Sequence, residues 1–257
     1  MSASQEARYP SEKSQQIISS CIGQLHPDDG QLSHWHDKYV DKHRIRLAYD
    51  LDLAKALLPS GAKVLECGSA PFLLTTSLKK SGFDVTGCDL SPERYASTLR
   101  QLDLNVFRCD FEVEALPEKD NTFDAVIFNE VFEHLRINPI HALSEIHRVL
   151  KPMGILMLSS PNLKSLVGII RYFFYGKAYS SAADLYTEYS KLAKLGHMGH
   201  VREYTTTEIT EFLGHLGFHI DHLVYRGKYS NPAAQQLVSA IPKLRPFVSY
   251  IAKKRDA

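Results

Sequence analysis

The chain has 257 residues and a formal net charge of +1, which gives no global field for nucleic acid or an anionic membrane and leaves only local patches. No run of about 18 uncharged apolar residues could cross a bilayer, and the first ten residues, MSASQEARYP, carry no apolar signal core. The four cysteines (Cys21, Cys67, Cys88 and Cys109) lack metal or redox spacing, so the expectation is a cytoplasmic protein with buried reduced thiols, built as one large domain or one domain with an insertion.

Residues 1–10 read as a frayed tail and 11–25 as a helix, ended by His26-Pro27-Asp28-Asp29-Gly30. One or two amphipathic helices follow over 32–58, with Trp35, Tyr39, Ile45, Leu47 and Leu51 among the apolar positions. Residues 64–67 are a short buried strand, Gly68-Ser69-Ala70-Pro71 the turn out of it, 72–80 a helix, and 84–88 a second strand ending in Asp89. Such a unit closes as a right-handed crossover in a parallel sheet, with ligands bound at the carboxyl ends of the strands. Gly68 would let a ligand approach the backbone, and Asp89 could accept from ribose hydroxyls. Only Gly68 is present of a G-x-G-x-x-G pattern; Ala70 and Phe72 stand where further glycines might.

Ser91-Pro92-Glu93 predicts a helix start with an N-cap serine. Residues 104–108 predict a third strand followed by Cys109-Asp110-Phe111, and 123–128 a fourth. A helix over 139–150 leads through a turn at Lys151-Pro152-Met153-Gly154 into a fifth strand at 155–159. Residues 161–199 form a connection far longer than usual, apolar over 166–175 and carrying Tyr179, Tyr186 and Tyr189. A helix follows, ending near Gly217, with N-caps offered by Thr205–Thr207 and a stripe of Ile209, Phe212, Leu213 and Leu216. Strands at 218–224 and 247–252 flank a stretch, 225–242, whose pattern is ambiguous.

Glu66-Cys67-Gly68-Ser69-Ala70 resembles the E/D-x-G-x-G motif of class I S-adenosylmethionine (SAM)-dependent methyltransferases, and Asp89 resembles that family's ribose-binding acid. Asp120-Asn121-Thr122-Phe123-Asp124 resembles the family's lead into its fourth strand. The stretch 145–154, EIHRVLKPMG, resembles its E-x-x-R-V-L-K-P-G-G stretch, departing only at Met153. The resemblance implies an α/β Rossmann-like fold: a mostly parallel seven-stranded sheet with helices on both faces and an antiparallel last strand. It implies a helical cap over 1–60, a SAM-binding core over 61–160, a helical lid over 161–200 and the rest of the core over 201–257. The cofactor residues it implies are Glu66, Gly68, Ser69, Ala70, Asp89, Leu90, Asp110, Phe111 and Asn129, with Asp110 near the adenine amino group.

On the acceptor side stands Asn129-Glu130-Val131-Phe132-Glu133-His134-Leu135. On a helix, Glu130, Glu133 and His134 would share one face, a set that suits Mg²⁺, Mn²⁺ or Zn²⁺. With the later stretch 196–205, GHMGHVREYT, this Glu-x-x-Glu-His resembles small-RNA 3′-terminal 2′-O-methyltransferases, and also ubiquinone-pathway O-methyltransferases. That resemblance implies a metal on Glu130, Glu133, His134 and His200, with His197 a further candidate. A metal-free reading stands beside it, in which His134 or His200 is a general base and Glu130 a hydrogen-bonding catalytic residue. The implied function is SAM-dependent O-methylation of a small molecule or glycan. The alternatives are a 2′-O-methyltransferase of RNA 3′ ends and an inactive SAM-binding regulator; Lys38, Lys42, Arg44 and Arg46, and Lys253–Arg255, are basic clusters read as solvated faces. The aromatic lid also leaves a homodimer or a lipid-linked acceptor open.

Overall fold

The computed structural model describes residues 10–195 and 199–255. Nearly all of the expected tail, and His197, lie outside the described residues. The strands form one seven-stranded sheet in the order β3-β2-β1-β4-β5-β7-β6. Its members are β1 (Lys63–Cys67), β2 (Asp84–Asp89), β3 (Asn105–Arg108), β4 (Phe123–Asn129), β5 (Leu150–Pro161), β6 (Phe218–Arg226) and β7 (Phe247–Lys254). Strand β1 runs parallel to β2 and β4, and β2 parallel to β3, whereas β7 is antiparallel to both β5 and β6. This is the expected fold.

The described residues divide into two compact units, one holding residues 10–127 with Arg148–Gly154, the other Phe128–His147 and those from Ile155 on. In the first unit, α1 (Glu12–Ile22) is capped by the Ser11 side chain, which accepts from the Ser14 N–H. Helix α2 (Gly30–Leu57) is one continuous helix. Helix α3 (Leu73–Lys80), which packs against α1, α2 and β2, buries Leu73, Leu74 and Leu78. The expected serine cap at Ser91 is absent: Pro92–Tyr95 form a 3-10 turn before α4 (Ala96–Gln101), without a cap bond from the Ser91 side chain. The Ser91 N–H instead donates to Asp89 Oδ1. All four cysteines are buried and free.

In the second unit, α5 (Pro139–Val149) begins at a proline, α6 (Leu166–Tyr175) is capped by Ser165, and α7 is Leu185–Leu195. Helix α8 (Thr206–His215) opens with a complete capping box, Thr205 and Glu208 each accepting from the other's backbone N–H. The ambiguous stretch extends β6 to Arg226 and then forms α9 (Pro232–Ala240), capped by Asn231. The turn expected at 151–154 is instead the irregular start of β5, where Met153 takes φ 59. Left-handed backbone favours glycine, which explains why the related motif has one there; Met153 occupies the position with its side chain exposed.

Candidate active site

The first cluster is a backbone device. Gly68, at φ 71, turns the chain out of β1, and its N–H donates to the Cys88 carbonyl at 2.8 Å. The Ser69 N–H and Oγ donate to the same oxygen at 3.1 Å each. The Ala70 N–H donates to Asp89 Oδ2 at 2.9 Å, and the Ser91 N–H to Oδ1 at 3.1 Å. Asp89 is therefore anchored at the end of β2, with backbone donors on both of its oxygens.

Phe72 adopts the left-handed conformation at φ 66 and leads directly into α3. The strain of about 1–2 kcal/mol is offset by burying the whole ring, worth roughly 1.5–3 kcal/mol. The ring is fully buried and sits edge-on to Tyr95 at 5.3 Å. Gly87 escaped the sequence reading. A Cβ there would lie 2.9 Å from Ser69 Oγ and 3.0 Å from Val106 Cγ2, so Gly87 makes room for the loop.

Glu66 is buried and accepts from Thr75 Oγ1 at 2.5 Å. Burial pushes its carboxyl up to about 8; the Thr75 bond opposes this, and the nearby Asp50 charge adds to it. Asp50 is itself fully buried on α2, with Arg46 3.7 Å from its Oδ2. Arg46 also donates to the Tyr39 hydroxyl at 3.0 Å and to His43 Nδ1 at 3.4 Å. Burial, then the Arg46 and Lys42 charges, hold His43 down to about 3, so it is neutral. Arg46 thus leaves the basic cluster read as a solvated face, whereas Arg44 pairs at the surface with Asp41. Asp110 caps its own turn: its Oδ1 accepts from the Glu112 N–H and its carbonyl from Val113 and Glu114. Phe111 is buried, Leu90 exposed, and Asn129 half-buried at the end of β4.

The second cluster is built from side chains. Glu133, His134 and His200 each present a ligand atom, all within 4.8 Å of one another. The two imidazoles meet edge to face with centroids 4.9 Å apart. The expected helix is a single 3-10 turn, Phe132–His134. Glu130 precedes it in left-handed backbone at φ 57, outside any helical face. Its N–H donates to the Ser159 carbonyl at 2.8 Å, and its Oε1 receives Ser159 Oγ at 2.8 Å and Arg226 at 3.5 Å. The structure therefore brings together three of the four expected ligands and engages Glu130 elsewhere.

Residues nearly seventy positions apart meet because the Glu133 carbonyl accepts the N–H groups of Val201 at 2.8 Å and Arg202 at 3.3 Å. Phe132 anchors the turn against Tyr204 and Phe212. His200 Nδ1 lies 2.9 Å from Glu203 Oε1. Burial alone would raise the Glu203 carboxyl, but hydrogen bonds from His200, Ser180 and Ser181 hold it down to about 2.

Two imidazoles and a carboxylate are a donor set that suits transition ions such as Zn²⁺ or Co²⁺, and Mn²⁺ through the carboxylate, more than all-oxygen Mg²⁺. Ligands about 2.1 Å from one tetrahedral ion lie about 3.4 Å apart. The donor types fit such an ion, and binding it would draw the three ligand atoms, now within 4.8 Å of one another, closer by up to about 1.4 Å.

The crossover, the loop at the end of β1 and the acid at the end of β2 define the class I SAM-dependent methyltransferase fold. Among solved structures, the chain is similar to a SAM-dependent methyltransferase of Thermotoga maritima, with TM-score 0.58 and 19% identity over 88% of this chain and 97% of that one. It is also similar to a chain of the Haloferax volcanii complex between the Trm112 methyltransferase activator and a methyltransferase: TM-score 0.56, 18% identity, 90% and 100% covered. A Mesorhizobium loti methyltransferase gives TM-score 0.54 at 18% identity, with 79% and 96% covered. By sequence, 52 residues are 48% identical to an uncharacterized protein of Methanocaldococcus jannaschii, covering 20% of this chain. The chain spans only 22% of the length of that curated relative. The methyltransferase-domain family model matches residues 39–223, well over half of the chain. The chain therefore belongs to the methyltransferase-domain family.

Proposed function

We propose that this protein transfers the methyl group of SAM to a hydroxyl of a small molecule or glycan, with Glu133, His134 and His200 on the acceptor side. The observation that carries the reading is their convergence within 4.8 Å. Bound SAM supplies an activated methyl group, so the protein's tasks are to orient the acceptor and take its proton. The loop Gly68-Ser69-Ala70 would hold the cofactor, Asp89 its ribose hydroxyls, and Asp110 the adenine amino group. Leu90, Phe111 and Asn129 would line it. The half-buried imidazoles would hold a divalent ion with Glu133, lowering the pKa of the hydroxyl attacked. The carboxylate behind His200 supports a second reading, in which His200 is a metal-free general base. Residues 161–200 would act as a lid: α6 and α7 carry Phe173 and Phe174, 75% and 79% exposed, beside Tyr172, Tyr175 and Tyr186.

The test is a thermal-shift series on the protein saturated with S-adenosylhomocysteine (SAH), with Mg²⁺, Mn²⁺, Co²⁺ or Zn²⁺ against a chelator. Stabilisation by a few degrees with Mn²⁺, Co²⁺ or Zn²⁺, lost in Glu133→Ala, is the expected result. The acceptor search then goes to vicinal diols, catechols and RNA 3′ ends. Intact SAH binding with no metal shift would discard the ion and send the search to acceptors with a single reactive hydroxyl.

A further inference from the structure

His200 is gripped at both ends by buried carboxylates. Its backbone N–H donates to Glu188 Oε2 at 2.9 Å, and its ring meets Glu203. Gly199 makes the first contact achievable, since a Cβ there would stand 2.0 Å from Glu188 Oε2.

The Glu203 carboxylate is a closed acceptor. Its Oε2 receives the N–H and hydroxyl of Ser180. Its Oε1 receives the Ser181 N–H at 3.1 Å, the Ser181 hydroxyl at 2.7 Å and the Ala182 N–H at 3.1 Å. Arg171 meanwhile holds the carbonyls of Tyr179, Ser180, Ala182 and Ala183. The 180–182 backbone is therefore fixed through its donors by one charge and through its acceptors by the other.

Among the described residues, two polar groups stand at His200 Nδ1: Glu203 Oε1 at 2.9 Å and Ser181 Oγ at 3.3 Å. Ser181 already directs its hydroxyl proton to Glu203, so toward the imidazole it can only accept. Glu203 is ringed by donors, so it too can only accept. Two acceptors at Nδ1 require the proton to be there.

We infer that Glu203 is a positioning residue that fixes His200 as the Nδ1–H tautomer and leaves the Nε2 lone pair to serve the Glu133–His134 cluster. This rests on the proposed acceptor-side role of that cluster, and it serves both versions of it. A metal ligand and a general base each need an unprotonated Nε2, and a carboxylate behind a ligating imidazole typically carries 10–100-fold in metal affinity.

The experiment is imidazole ¹⁵N NMR of the full chain with SAH and a chelator, the His200 signals being assigned by their loss in His200→Gln. The wild type should show a protonated Nδ1 and a pyridine-like Nε2. In Glu203→Gln the Nε2–H form should gain population and Mn²⁺ affinity should fall about 10–100-fold, with SAH affinity within twofold of wild type. A wild-type His200 protonated on Nε2, or a Glu203→Gln protein with unchanged tautomer and Mn²⁺ affinity, would overturn the inference. Should Glu203→Gln fail to fold, the wild-type spectrum decides alone. Absence of Mn²⁺ binding to the wild type would discard the ion, while the spectrum still decides the tautomer.

Discussion

The two candidate clusters are made in different ways. The loop after β1 is set by backbone conformation and by residues within about twenty positions of one another, from Glu66 to Ser91. The cluster at Glu133 is set by side chains that meet only because the Glu133 carbonyl receives Val201 and Arg202. A backbone device tolerates side-chain departures such as Phe72, provided the ring is buried. A side-chain device tolerates departures in backbone, such as the 3-10 turn, provided the donor atoms converge. The first should fail through sterics and cofactor affinity, the second through chemistry alone.

The largest effect on the first cluster is expected at Asp89. Asp89→Ala should weaken SAH binding about 10–100-fold in a calorimetric titration, the loss of charge-assisted hydrogen bonds worth roughly 1.5–3 kcal/mol. It would also free the Ala70 N–H, so a smaller effect would move the ribose contact off Asp89.

Glu66 sharpens the comparison by pH. Its folded pKa, about 8, is raised above the ordinary carboxyl value. The native state therefore holds a proton that the unfolded chain releases, and stability should fall as pH rises from about 4.5 to 8. Denaturant unfolding of the cofactor-free protein should show that decline, and Glu66→Gln should flatten it. A decline unaltered in the variant would place the charge penalty elsewhere.

Gly87→Ala pushes a methyl group into Ser69. Overpacking of this kind costs about 1–3 kcal/mol, or roughly 2–10 °C in Tm for a protein of this size. The smallest effect belongs to Thr205→Ala, which removes the α8 capping box and should cost about 1 kcal/mol. Because α8 starts directly after the segment carrying His200, its activity should fall no further than its folded fraction.

The fold was legible where local pattern and chemistry agreed. Glycine and proline punctuation, the alternation of strands and helices, and the cap at Thr205 all read correctly. The serine cap expected at Ser91 is missing because Pro92–Tyr95 form a 3-10 turn, in which the Arg94 N–H donates to the Ser91 carbonyl. The stretch 225–242 was ambiguous because Gly227, Pro232 and Pro242 break it into pieces too short for periodicity; α9 is only nine residues long. At the site, Glu133, His134 and His200 were named from motif resemblance, and their convergence is a long-range fact that no local spacing contains. The shared helical face expected for Glu130 did not form because i, i+3, i+4 spacing presumes a helix, whereas the chain passes through left-handed backbone at that residue. Gly87 and Asp50 were silent, Arg46 read as part of a solvated face and Glu203 only as one letter of the 196–205 stretch, because their roles depend on what packs against them.

The most direct test of the account compares the two clusters in one variant. Glu133→Ala should bind SAH within twofold of wild type by calorimetry, while methyl transfer from labelled SAM to any acceptor that the wild type methylates falls at least about 100-fold. Undiminished transfer, or loss of SAH binding in a folded variant, would contradict the assignment of this cluster to the acceptor side.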